Sequence, residues 1–185
     1  MEQILHLFIT NTCRHKCPLC CNRLYDIEKI PVVTVERLKS VDIVCLTGGE
    51  PLMVNDYVFY HLVEKLRIQY LNIKNLYVYT SGEDLSSLFT RYNLKALVRK
   101  KYINGFNVAP KGPLDWQAFQ ICLKEHSEIF KGESNRLYVF PEQQENFEKY
   151  TKDLSLDNIN VIGRKWDKVF NTPDNEYFER LPILF

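Results

Sequence analysis

Six short apolar runs recur along the 185-residue chain, each ending at glycine, proline or small polar residues and most leading into a stretch of helical periodicity. Ile4 to Thr10, Asp42 to Thr47, Leu76 to Thr80, Ile103 to Ala109, Arg136 to Phe140 and Asn158 to Ile162 read as buried strands. Between them, Thr34 to Val41 with Thr34 as cap, Asp56 to Tyr70, Leu85 to Tyr92, Asp115 to His126 with Asp115 as cap, and Gln143 to Tyr150 read as helices. Leu94 to Val98 competes for the fourth strand, and the later run is preferred because Pro110-Lys-Gly-Pro113 closes it sharply. Strands alternating with helices of this length form parallel βα units, because a parallel pair needs a long crossover. The chain is too short for an eight-unit barrel of about 250 residues. An α/β fold is therefore expected, as an incomplete (β/α)6 barrel with a curved, mostly parallel sheet. A doubly wound sheet accommodates the same alternation. One domain spans 1–185, and 164–185 reads as an irregular tail without periodicity.

Parallel βα folds collect their chemistry at the C-terminal ends of the strands. The residues falling there are the cysteine-rich loop after Thr10, Gly48-Gly49-Glu50, Ser81-Gly82, Pro110-Lys111-Gly112 and Gly163. The first of these reads Cys13-Arg-His-Lys-Cys17-Pro-Leu-Cys20-Cys21-Asn22. Thiolates are soft donors, so zinc, copper(I) and an iron–sulfur cluster all suit this spacing. A structural zinc wants four protein ligands. Cys21 adjoins Cys20 too closely to turn readily to the same tetrahedral ion, and His15 is a weak fourth ligand for a similar reason. Three ligands without an obvious fourth point to a cluster with one iron left open. Gly48-Gly49-Glu50 reads either as a tight βα turn or as a receptor in which backbone carbonyls and a carboxylate hold an ammonium group.

A net charge of +1 gives no global attraction to nucleic acid, and Arg99-Lys100-Lys101 reads as a solvated element end. No apolar run approaches the length of a bilayer span, and the N-terminus has no secretory pattern. Cysteines crowded into one loop, with Cys45 and Cys122 isolated in apolar surroundings, suit the reducing cytoplasm better than a disulfide framework.

The stretches C-R-H-K-C-P-L-C at 13–20 and L-T-G-G-E-P-L at 46–52 together resemble the radical S-adenosylmethionine enzymes. The resemblance implies that Cys13, Cys17 and Cys20 hold a [4Fe–4S] cluster whose remaining iron is chelated by S-adenosylmethionine. It implies that Gly48, Gly49 and Glu50 receive the methionine amine, and that Leu19, where the family favours an aromatic, approaches the cofactor. Ser81 is then placed to bond the ribose or methionine carboxylate, or else caps its own turn. Lys111 is placed to meet a carboxylate, with solvent exposure as the alternative. Gly163 is placed to lie against the adenine, and Asn22 to brace the cysteine loop. The activity implied is reductive cleavage to a 5′-deoxyadenosyl radical, with flavodoxin or ferredoxin as electron donor.

Two compact branches are similar. The 7-carboxy-7-deazaguanine synthases, small homodimers that act on a pterin, share the V-A-P-K stretch at 108–111. They use magnesium beside a hydroxyl that follows the last cluster cysteine, where this chain has Cys21. The activating enzymes of glycyl-radical proteins share C-x3-C-x2-C-x-N and Y-V-Y-T-S-G at 77–82, and their substrate is a partner protein. The small-molecule branch is preferred. A zinc-stabilised interaction module without catalysis is the reading from another class.

Overall fold

The structure, a computed structural model, describes residues 1–17, 20, 26–166 and 172–185. Among the described residues, seven strands form one curved sheet in which every pairing is parallel. They are β1 (Ile4–Thr10), β2 (Ile43–Gly48), β3 (Asn75–Thr80), β4 (Gly105–Val108), β5 (Asn135–Val139), β6 (Ile159–Gly163) and β7 (Glu176–Arg180). The helices among the described residues are α1 (Val35–Ser40), α2 (Asp56–Gln69), α3 (Leu88–Arg99), α4 (Pro113–His126) and α5 (Gln144–Thr151).

Strand order decides between the two architectures. It runs β6-β5-β4-β3-β2-β1-β7. A doubly wound sheet reverses direction at a switch point. Here the strands follow one another in a single rotational sense, and β7 takes the place next to β1 that the last strand of a ring would take. The sheet is an incomplete barrel whose opening lies between β6 and β7. The tail at 164–185 is accordingly not irregular throughout: β7 pairs with β1 from Ile4↔Glu176 to Phe8↔Arg180. Beyond it, Leu181 N–H reaches Phe8 O at 3.0 Å and Phe185 N–H reaches Ile9 O at 2.9 Å. Thr10 Oγ1 donates to Phe185 O, so the chain end runs along β1.

The two faces of the sheet differ in chemistry. Leu5, Leu7, Val44, Leu46, Leu76, Val78, Phe106, Val108 and Leu137 are buried on one face with Phe59, Val63, Leu66, Leu94, Leu97, Trp116 and Phe119 from the helices. Alternate positions put His6, Cys45 and Tyr77 in one register row on the opposite, concave face, with Tyr79, Asn107, Arg136 and Asn160 in another. Parallel sheets usually read as continuous apolar runs. Polar residues at every second position are the exception that marks the barrel interior.

Several helices begin or end away from the sequence-based bounds, each for a local reason. Thr34 caps α1 as expected, accepting Arg37 N–H at 3.1 Å. Asp115 does not cap α4. The helix starts at Pro113, and Asp115 in its first turn accepts Lys111 N–H at 2.6 Å and Gly112 N–H at 3.2 Å. A 3-10 turn occupies Glu83–Ser86, and Ser87 then caps an α3 long enough to absorb Leu94 to Val98. Gly105–Val108 is thus the fourth strand. Arg99 ends α3 with Lys100 as its cap, where cations offset the helix dipole. No helix among the described residues is long and apolar enough to cross a membrane.

Candidate active site

The two motifs singled out from the sequence touch through their backbones. β1 pairs regularly with β2 until an irregularity between Phe8 and Thr10 brings Thr10 opposite Gly48. Gly49 N–H then reaches Thr10 O and Glu50 N–H reaches Thr12 O, both at 2.7 Å. These bonds carry the pairing past the sheet and fix the segment that delivers Cys13. A Cβ on Gly48 would stand 2.3 Å from Thr10 O, and one on Gly49 would stand 2.1 Å from Thr12 O. Gly48 also has φ +115°, a conformation open mainly to glycine. The glycine pair is therefore the seat against which the cysteine segment leaves the sheet.

Glu50 is buried and joins the ends of β2 and β3. Its Oε1 accepts Leu52 N–H at 3.2 Å and its Oε2 accepts Ser81 N–H at 2.6 Å. Burial raises its pKa, while those N–H groups and the Thr80 and Ser81 hydroxyls pull the other way. Ser81 is buried here, with its hydroxyl also 3.5 Å from Glu83 N–H, so it serves its own turn as well as Glu50.

Cys13, Cys17 and Cys20 are half-buried thiols. Burial raises the pKa of Cys13. A hydrogen bond from the His15 backbone lowers it, and charge on Glu50, Cys17 and Cys20 raises it again. Cys13 thus feels the two other sulfurs. His15 turns its Nε2 to Asp115 Oδ1 at 3.2 Å and to Glu83 Oε2 at 3.8 Å. Leu19, Cys21 and Asn22 lie outside the described residues.

Lys111, after β4, faces this loop. Its Nζ lies 3.9 Å from the Phe140 ring centroid and 4.8 Å from that of Trp166. Those rings stack at 4.1 Å and 17°, and Trp166 Nε1–H donates to Glu142 Oε1 at 2.5 Å. Burial brings the Lys111 pKa down to about 8, Cys17 opposing and Arg164 assisting. The lysine is thus only partly solvated, with Phe140 after β5 and Trp166 after β6 covering it. Gly163 ends β6 with nothing within 4 Å of where a Cβ would be.

Sequence reasoning missed the aromatic enclosure of Lys111, the pairing of His15 and the polar concave face. The last was legible in principle, because His6, Tyr77, Tyr79, Asn107, Arg136 and Tyr138 interrupt apolar strands with period two. His6 is packed: it bonds Glu176 at 2.9 Å and stacks on Phe178 at 4.4 Å. Asn107 is buried, and its Oδ1 finds no hydrogen-bond partner among the described residues.

No protein-family model and no curated protein matches the chain. Among solved structures, the catalytic domain of a family GH18 chitinase from the fern Peteris ryukyuensis is similar at 10% identity, with a TM-score of 0.35. The match covers 86% of this chain and 67% of that one.

Proposed function

We propose that the chain is a radical S-adenosylmethionine enzyme in which Cys13, Cys17 and Cys20 hold a [4Fe–4S] cluster. The observation that carries this reading is the backbone junction between Gly48–Glu50 and Thr10–Thr12, which brings the glycine motif against the stem of the cysteine loop. Bound and reduced, the cluster and S-adenosylmethionine supply a 5′-deoxyadenosyl radical that takes hydrogen from a substrate.

The chain's own residues do the positioning. The backbone around Gly48 and Gly49 receives the methionine amine. Glu50 holds the ends of β2 and β3 in register and lends negative charge. Ser81 and Gly163 border the nucleoside. The His15 N–H on Cys13 stabilises the thiolate and tunes its donor strength.

The substrate in this reading is a small molecule with a carboxylate, such as a pterin acid. Lys111 supports it, because a partly enclosed amine whose pKa is lowered by burial has its charge stabilised when an anion joins it. The concave face adds Tyr79, Asn107 and Arg136 as hydrogen-bonding groups, with Asn107 Oδ1 in want of a donor. The reading further implies a cytoplasmic protein, flavodoxin or ferredoxin as reductant, magnesium as a further ion and a homodimer.

The test is anaerobic reconstitution with iron and sulfide, reduction, and addition of S-adenosylmethionine. Brown protein that releases 5′-deoxyadenosine is expected, with colour and product both lost in Cys17→Ala and colour retained in Cys21→Ala. Colourless protein whose thiols hold zinc, with no cleavage, overturns the reading. Turnover of carboxylated pterins, rather than radical installation on glycyl-radical partners, is the expected result of a substrate panel.

A further inference from the structure

Beside the cysteine loop lies a second group of metal-ligating side chains that none of the chemistry above uses. His15 comes from that loop, Glu83 from the 3-10 turn after β3, and Asp115 from the first turn of α4. His15 Nε2, Asp115 Oδ1 and a Glu83 carboxylate oxygen all lie within 4.8 Å of one another. Three segments distant in the sequence converge on one point at the C-terminal rim of the sheet.

The independent observation is Asp115 itself. It is 0% exposed. Its Oδ2 is spent on the N–H groups of Lys111 and Gly112. Its Oδ1 has no hydrogen-bond partner among the described residues, and neither has His15 Nε2, although the two atoms are 3.2 Å apart. The two atoms face each other as an ion pair without hydrogen-bond geometry, an arrangement that a cation held between them would complete. The outer contacts are those of a prepared site. Backbone N–H groups orient Asp115, and Arg14 takes Glu83 Oε1 at 3.4 Å and Asp84 Oδ1 at 3.1 Å, leaving Glu83 Oε2 toward His15.

We propose that His15, Glu83 and Asp115 bind a divalent transition-metal ion through one imidazole nitrogen and two carboxylate oxygens. Calcium prefers six to eight oxygen ligands and copper(I) prefers sulfur, so the donor set selects manganese, iron(II) or zinc. Three protein ligands leave coordination positions for water or a substrate oxygen. The side chains of His15 and Glu83 are 20% and 24% exposed, so solvent reaches the site. The ion would tie the cysteine loop to the loops after β3 and β4. It is distinct from any cluster on the thiols and stands whether or not that cluster forms.

Manganese(II) is the probe, because it disfavours thiolates and leaves the cysteines out of the measurement. Full-length protein is titrated with Mn2+ and bound ion is counted from loss of the free-ion EPR signal. One Mn2+ per chain is expected, with affinity reduced about tenfold or more in His15→Ala and in Glu83→Gln. A Cys13→Ala/Cys17→Ala/Cys20→Ala variant is expected to bind as the parent does, which separates this site from the cluster. Both single variants lie outside the core, and circular dichroism verifies their fold. Absence of stoichiometric Mn2+, or binding indifferent to His15→Ala and Glu83→Gln, overturns the proposal.

Discussion

Gly49 has no room for a methyl group, because the atom its Cβ would strike is a backbone carbonyl oxygen. Gly49→Ala must push Thr12 away and stretch the two 2.7 Å bonds that fix the stem of the cysteine loop. A loss of about 2–4 kcal/mol is expected in urea unfolding, whereas Gly163→Ala, with open space around it, stays within about 0.5 kcal/mol. Lys111 makes a prediction about pH. With its folded pKa lowered from 10.5 to about 8, the burial cost of its charge is present in full below about 8. Between about 8 and 10.5 the folded state releases its proton first, so this residue's contribution to stability improves as pH rises and then levels off. Comparing urea midpoints of parent and Lys111→Met across pH 7 to about 10.5 checks this: the parent is expected to gain on the variant only above about 8. The opposite slope would refute the burial of the amine.

At the scale of elements, β7 is held by charge as much as by its ladder. Arg37 on α1 donates to Glu179 at 2.8 Å and lays its guanidinium 3.5 Å from the Tyr177 ring centroid. Glu179 is 9% exposed, so Arg37→Met leaves a buried carboxylate without its cation. A loss of about 2 kcal/mol is expected, part of it recovered in Arg37→Met/Glu179→Gln, by urea unfolding. This arrangement also explains why β7 escaped the sequence reading. Glu176-Tyr-Phe-Glu-Arg180 carries charge at three of its five positions, and the groups that bond its carboxylates, His6 and Arg37, are far away along the chain. The six other strands were legible because the face that each packs against the helices is apolar enough to stand out. Asp115 was misjudged as a cap because a carboxylate near a helix start looks alike in sequence whether it precedes the helix or reaches back from its first turn.

For the whole molecule, alternation of strand and helix identified the class, and only the order of pairing separated the barrel from the doubly wound sheet. Of the site, the positions at strand ends were legible, since topology alone carries them to one rim. The convergence of His15, Glu83 and Asp115 was not, because it depends on how three loops fold back over that rim. The position of β7 beside β1 has a consequence for biosynthesis. β1 meets one of its two neighbours, β7, only after all of the polypeptide between them has left the ribosome. Until then Leu5, Leu7 and Ile9 present a bare hydrogen-bonding edge, and a nascent or truncated chain is open to pairing with the wrong partner there.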